Sequence, residues 1–443
     1  MNENSDWKWR IVEQVLEHPE SQREAALGDL CGSKAELIEE IRVLLRLVEA
    51  NQDQFDASEL PPLPPSATSP TADHQSPWTV PNHPDFATEA RASASVRGGA
   101  FWIGAYRLVD LLGRGSFGCV FLAERDQPVR LQVAIKVIRQ RESGHQPGVL
   151  GRFLMEREVL ARMSHPGIAY VIDADETETC CPYLVMEYVS GETLVRYCDA
   201  RRMPLDKRLD LFVGICDAVQ HAHDRGIIHR DLKPMNILVR EVDGQAVAKV
   251  IDFGIAKAIS KETLSRGVET VGAHSPGTLA YMSPEQAGLS PRDLDVRTDV
   301  FSLGVVLYEL LVDVRPFDDD QLFGDGTFEA LRRLRDRERP RASSRLLGMD
   351  ARERHRIAKM RSLDAAELTL TLRRDLDWIL AKALELDRKR RYGSPSELAA
   401  DIQRYRRGQP VLARPPSLSY RMQKFVRRNR LAVAASAASS CRL

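Results

Sequence analysis

From Tyr106 onward the apolar positions fall into two successive patterns. The runs YRLVDLL, CVFLAE and QVAIKVI are short, rich in β-type residues and separated by turn residues, which predicts an antiparallel meander. Beyond Arg152 the apolar spacing becomes three and four residues in RFLMEREVLARM, LDKRLDLFVGICDAVQHAHDRG and DVFSLGVVLYELL, which predicts helices. Strands first and helices afterwards imply an α+β fold in two lobes, a small antiparallel sheet followed by a larger helical part. Upstream, Ile38, Ile41, Leu44, Leu45 and Val48 recur at helical spacing, with His18-Pro19 and Gly28 as breaks, so residues 1–57 are expected to form a small helical region. Residues 58–100, opening on PPLPPSATSP, are too poor in apolar groups to offset chain entropy and are expected to be a disordered linker. The domain itself is expected over 101–408, followed by a basic tail at 409–443.

Composition narrows the function classes. Among 443 residues, Lys+Arg and Asp+Glu balance at 63 each, which argues against a nucleic-acid binder held by net basic charge. Seven cysteines without a CxxC pair argue against a disulfide scaffold or a zinc ribbon and for a reducing cytosol. The start, MNENSDWKWR, lacks the apolar core of a signal peptide. From Ile402 to Leu443 there are ten Arg and Lys and no Asp or Glu. RYRRGQ and YRMQKFVRRNR precede LAVAASAASSCRL, an order that reads like the cytoplasmic flank of a membrane helix. The apolar segment is shorter than the roughly 18 residues a span needs, so the expectation is a cytoplasmic chain whose tail can sit at the inner membrane face without crossing it.

Several constellations carry chemistry. Gly113-Arg114-Gly115-Ser116-Phe117-Gly118 runs straight into a strand instead of opening a helix, unlike a dinucleotide-binding glycine loop. Small residues there let backbone N–H groups approach phosphate oxygens, with Phe117 as a lid, although an ordinary hairpin turn has the same pattern. Lys136 ends Val133-Ala134-Ile135-Lys136, and an ammonium on a buried strand needs a counter-charge or an anionic ligand. The following helix offers Glu156 and Glu158. Glu156 is favoured because Leu160 and Met163 continue its face, and either carboxylate could instead be solvated.

The densest signal is Ile227-Ile228-His229-Arg230-Asp231-Leu232-Lys233-Pro234-Met235-Asn236-Ile237-Leu238-Val239, read as an apolar strand pair bracketing a polar loop. Phosphoryl transfer to a hydroxyl needs a carboxylate for the proton, a cation near the moving phosphate and a metal ligand. Asp231, Lys233 and Asn236 suit those roles in turn. Sixteen residues on, Asp252 ends a strand before Phe253-Gly254 and suits Mg²⁺, a hard ion that prefers oxygen.

GRGSFGCV, VAIK, Glu156, HRDLKPMN, DFG and Ser283-Pro284-Glu285, in that order, resemble a eukaryotic-type protein kinase over about residues 101–408. The resemblance implies ATP and Mg²⁺ as cofactors. Gly113, Arg114, Gly115, Ser116, Phe117 and Gly118 would cover the phosphates, and Lys136 would hold them while pairing with Glu156. Asn236 and Asp252 would ligate the metal. Met186 would be the gatekeeper, Glu187 and Val189 would offer backbone hydrogen bonds to adenine, and Val120, Ala134 and Leu238 would sandwich the ring. Leu160, His229 and Phe253 would stack between the lobes, Glu285 would pair with Arg391, and Asp299 would hold the catalytic-loop backbone. Lys233 two positions after Asp231, and Gly277-Thr278 with Thr278 bonding toward them, look like the serine/threonine form.

Arg230 beside Asp231 implies phosphorylation of the activation segment, at Thr263, Ser265, Thr270 or Ser275, with Thr270 leading. The expected partners are proteins with Ser/Thr hydroxyls, including the chain itself, and no nucleic acid. GTLAYMSPEQAG and DLDWILAKALELDRKRRYGSPSELAADIQRYRRGQPV look like bacterial members, in which a membrane helix commonly follows; a kinase lacking its anchor is therefore the expectation. Phe301 stands where relatives often carry Tyr or Trp, and the Arg-rich stretch 318–374 reads as a solvated insertion. An inactive scaffold, a small-molecule kinase and a membrane adaptor are the competing classes. The intact Lys136, Asp231 and Asp252 weigh against the first, and HRDLKPMN with the SPE segment against the second.

Overall fold

The computed structural model describes residues 86–115, 118–127, 129–138, 163–178, 181–253, 279–287, 294–318, 322, 327–415 and 424. Residues 1–85, Ser116, Phe117, Glu156, Glu158, Leu160, Thr263, Ser265, Thr270, Ser275 and Thr278 lie outside them, so the expectations placed on those positions are not addressed by the structure.

The first lobe is an antiparallel sheet of β1 (Ser95–Arg97), β2 (Ala100–Ile103), β3 (Tyr106–Gly115), β4 (Gly118–Arg125), β5 (Leu131–Ile138), β6 (Val171–Glu176) and β7 (Pro182–Glu187). The strands run in the order β1-β2-β3-β4-β5-β7-β6. Alternation drives one face inward, and Leu108, Leu111, Phe121, Val133, Ile135 and Val185 form its core. Gly118 has φ +145°, and a Cβ there would lie 1.8 Å from the Val137 carbonyl oxygen. Only glycine lets β4 approach β5 this closely at the mouth of the β3–β4 hairpin.

Folded structure begins earlier than the linker expectation allowed. Helix α1 (Phe86–Ser93) buries Ala90 completely and sets the Phe86 ring edge-on to Phe101 at 5.8 Å and Phe121 at 6.3 Å. Sparse apolar residues are enough here because a finished sheet face is available to receive them.

The second lobe is helical around one central element. A short sheet of β8 (Glu192–Thr193), β9 (Ile237–Val242) and β10 (Gln245–Val250) lies beside α2 (Leu194–Ala200) and α3 (Leu205–His223). Ile227 and Ile228, expected as a strand before the polar loop, form no ladder; only the segment after the loop, β9, does. Past the short α4 (Pro284–Ala287), helix α5 (Arg297–Val312) is buried on nearly every side, as an apolar helix without a polar face must be. At Gly304 a Cβ would meet Ala383 and Leu384 at 3.0 Å, so glycine lets a neighbouring helix pack close.

The stretch 318–374 is not a solvated insertion. It contributes α6 (Thr327–Asp336), α7 (Ala342–Leu347), α8 (Ala351–Met360) and α9 (Ala365–Thr371), and it buries Leu322, Ala330, Leu334, Leu346, Ile357 and Leu368. High charge concealed sparse apolar stripes that suffice once helices form. Arg361, fully buried, donates to the Leu310 and Leu311 carbonyls, and Arg208 donates to Leu310, so two guanidiniums satisfy the end of α5. After α10 (Asp377–Ala383) and α11 (Pro395–Arg406), the chain continues packed past the expected boundary at 408. Asp401 is buried and accepts from the Leu412 and Ala413 amides at 2.7 and 2.9 Å, while Val411 is buried.

Candidate active site

The loop between α3 and β9 is held from beneath by one carboxylate. Asp299, in the first turn of α5 and fully buried, accepts from the His229 amide at 2.7 Å and the Arg230 amide at 2.8 Å. His223 Nε2 donates to it at 2.7 Å. Burial alone would raise its pKa, but the His223 bond and the surrounding donors more than offset this and lower it. The amide bonds turn the backbone at Arg230, whose φ of +63° is a conformation a non-glycine residue adopts only when held.

His229 is locked in place as well. Its Nε2 donates to the Ile251 carbonyl at 3.1 Å and its Nδ1 accepts the Asp231 amide at 3.3 Å, which fixes the neutral Nε2–H tautomer. Its ring lies 4.6 Å from that of Phe253, as the stacking expectation required of those two members. Burial lowers its pKa, in keeping with a neutral ring.

Asp231, so positioned, meets both polar residues downstream. Lys233 Nζ lies 3.1 Å from Asp231 Oδ2, and Asn236 Nδ2 donates to the Asp231 carbonyl at 2.8 Å and to Oδ2 at 3.2 Å. Pro234 starts the 3₁₀ turn Pro234–Asn236, which brings Asn236 back onto Asp231. The Ile251 amide donates to the Asn236 carbonyl at 2.9 Å and ties this loop to the strand that delivers Asp252. Asp252, at φ +61°, forms an ion pair with Lys136 Nζ from the first lobe. The lysine is 12% exposed, so the ammonium on a buried strand does find a carboxylate.

A small apolar cluster lies between the lobes. Leu238 and Val189 pack with Ala169 and Ile251, and Ala134 is the cross-strand neighbour of Met186. Val120 stands opposite Lys136 on the β4–β5 ladder. Glu187 uses its amide on the Tyr170 carbonyl at 2.9 Å and its carboxylate on Lys249 at 2.7 Å.

Sequence reasoning did not anticipate Lys249, although an ammonium inside the apolar run AVAKVI signals a buried partner. It also missed His223. Below the loop, Glu285 receives both terminal nitrogens of Arg391 at 2.7 and 2.8 Å and the Thr298 hydroxyl at 2.9 Å.

The donor set suits a hard cation. Asn236 spends its amide nitrogen on Asp231, leaving its oxygen, and Asp252 adds a carboxylate. Among the described residues no three His, Cys, Asp or Glu side chains form a closed cage. Mg²⁺ needs none, since it is usually held by one or two carboxylates with phosphate and water.

Comparison with known proteins gives the following. The protein kinase domain family matches residues 106–401. The serine/threonine-protein kinase PknB of Mycobacterium leprae is 36% identical over 311 residues, covering 69% of this chain and 43% of that protein. A probable serine/threonine-protein kinase of Streptomyces coelicolor is 35% identical over 312 residues, covering 70% of this chain and 41% of its own length. The chain thus spans less than half the length of these curated relatives. The kinase domain of Mycobacterium tuberculosis PknI is similar in structure, with TM-score 0.47 and 23% identity over 70% of this chain and all of that one.

Proposed function

The chain belongs to the protein kinase family, of the eukaryotic-type serine/threonine class found in bacteria, and from this we propose that it transfers the γ-phosphoryl group of ATP to Ser and Thr hydroxyls of proteins. The observation that carries the reading is the convergence of Asp231, Lys233 and Asn236 on one loop, facing a Lys136–Asp252 pair that joins the two lobes.

In this reading Asp231 orients the substrate hydroxyl and takes its proton as the oxygen–phosphorus bond forms and the bond to ADP breaks. Lys233 places positive charge beside the transferring group. Lys136 holds the α- and β-phosphates, and Glu156 is its further partner. Asn236 and Asp252 would hold Mg²⁺, which when bound neutralises charge on the phosphates. Gly113, Arg114, Gly115, Ser116, Phe117 and Gly118 frame the phosphates. Val120, Ala134 and Leu238 enclose adenine next to Met186, and adenine donates to the Glu187 carbonyl and accepts from the Val189 amide. Thr278, outside the described residues, would bond toward Asp231 and Lys233, and Lys233 supports Ser/Thr over Tyr as acceptor.

The reading extends to self-phosphorylation between Asp252 and Ser283, and to a signalling role on the cytoplasmic side with the basic tail near anionic lipid. Among the described residues no helix is long and apolar enough to cross a membrane. The test is label transfer from γ-labelled ATP with Mg²⁺, followed by phosphoamino-acid analysis. Phosphoserine or phosphothreonine is expected in wild type, with Asp231→Asn and Lys136→Met reduced by about 10²- to 10⁴-fold. Equal labelling in Asp231→Asn would overturn the role of that carboxylate, and phosphotyrosine alone would overturn the acceptor.

A further inference from the structure

Helix α1 lies ahead of the residues that the family matches, yet one of its side chains reaches the mouth of the glycine-rich hairpin. Glu89 is 2% exposed, which is costly for a carboxylate without partners. Its Oε1 takes the Arg114 guanidinium, and its Oε2 accepts from Cys119 Sγ at 2.9 Å. Arg114 and Cys119 face each other across the β3–β4 ladder, on the rung between Gly113↔Val120 and Gly115↔Gly118. A single carboxylate therefore holds both strands at the point where they diverge.

That rung needs an outside brace. Gly113, Gly115 and Gly118 offer no side chains to pack, and glycine has the most backbone freedom to lose on becoming ordered. The β3–β4 register also shifts between Leu111 and Gly113, just before the rung. The anchor is firm on its other side, where Ala90 is buried and Phe86 packs edge-on to Phe101 and Phe121.

We propose that Glu89 is a positioning residue for ATP: through Arg114 and Cys119 it fixes the spacing of the strands that carry Gly113 and Gly118. The inference rests on the nucleotide-binding reading above. It assigns residues 86–103 the task of preorganising the phosphate cradle, so its loss weakens ATP binding while leaving the reacting groups in place.

The experiment uses the full chain as wild type, Glu89→Gln, Arg114→Gln and the double variant. It measures KM for ATP, kcat, the affinity for a fluorescent ATP analogue and the melting temperature. Each single variant is expected to raise KM and the analogue Kd by about three- to tenfold, and Glu89→Gln, outside the phosphate-framing residues, is expected to keep kcat within about twofold. Glu89→Gln added to Arg114→Gln should contribute less than about twofold more, because the contact is already broken. If Glu89→Gln does not fold, Cys119→Ala, which removes the donor to Glu89 Oε2 without touching a residue that frames the phosphates, carries the same comparison.

Unchanged KM and Kd with a lowered melting temperature would overturn the proposal and leave Glu89 a purely structural contact. Fully multiplicative effects in the double variant would overturn it too. The proposed kinase function fails separately, if wild type transfers no phosphate. The inference then stands only if the analogue binds and weakens in the variants, and absence of analogue binding overturns both.

Discussion

Asp299 shows how a single charge buried beneath a loop can set the geometry of a site. Its two oxygens consume the His229 and Arg230 amides, so Asp231 emerges in one orientation. The neighbouring histidines make this region sensitive to acid. Burial lowers the pKa of His229 below its ordinary 6.5, and burial also lowers that of His221. As pH falls below 6.5 the unfolded chain takes up protons that the folded chain refuses, so stability falls. Glu309, whose pKa partial burial raises, works in the opposite sense, so the informative quantity is a difference between variants. The melting temperature of His229→Phe should be lower than wild type at pH 7 but decline less steeply between pH 6.5 and 5. Parallel declines measured by calorimetry would remove His229 from this account. At this scale Asp231, Lys233, Asn236 and Asp252 were legible because the first three cluster in a short polar loop between apolar segments and the last ends an apolar run. The Lys249–Glu187 pair was not, since its members are 62 positions apart and neither spacing nor composition links them.

Between elements, the Glu285–Arg391 pair joins the short helix α4 to the turn before α11. The Arg391 side chain is fully buried, and it also donates to the Glu385, Leu386 and Arg297 carbonyls. Breaking such a pair from one side leaves a buried charge without its partner. Arg391→Ala should therefore lower unfolding free energy by about 3–5 kcal/mol in a denaturant titration, and the double variant with Glu285→Ala should cost less than the sum of the two singles. Additive losses would mean that the pair contributes no coupling. The Arg391 and Arg339 guanidiniums both lie over the Phe301 ring, 5.0 and 4.7 Å from its centroid. A plain phenyl ring suits these contacts, since cation–π attraction needs no hydroxyl. Arg339 comes from the charged stretch 318–374, whose packing the sequence pattern did not disclose. Its helices are short, and their apolar positions are too few to dominate any window.

For the whole molecule, the folded unit extends past both expected boundaries. Residues 86–103 complete the first sheet, and residues 409–415 lie against Asp401. A chain shortened to start at residue 104 should melt well below one starting at residue 86, because it loses Ala90, Ile103 and the Phe86 contacts. Side chains of that size are worth about 1.5–3 kcal/mol each when fully buried. Equal melting temperatures would show that α1, β1 and β2 are dispensable to the fold. The sequence by itself determined the order of strands and helices and the identities of Lys136, Asp231, Asn236 and Asp252, because periodicity and local motifs are written in neighbouring residues. Tertiary structure alone decided that His223 joins Asp299 beneath the loop, that Glu187 is held by Lys249, and that Glu89 reaches Arg114. Those contacts join groups 25 to 76 positions apart, and only the burial created by packing makes the partnerships necessary.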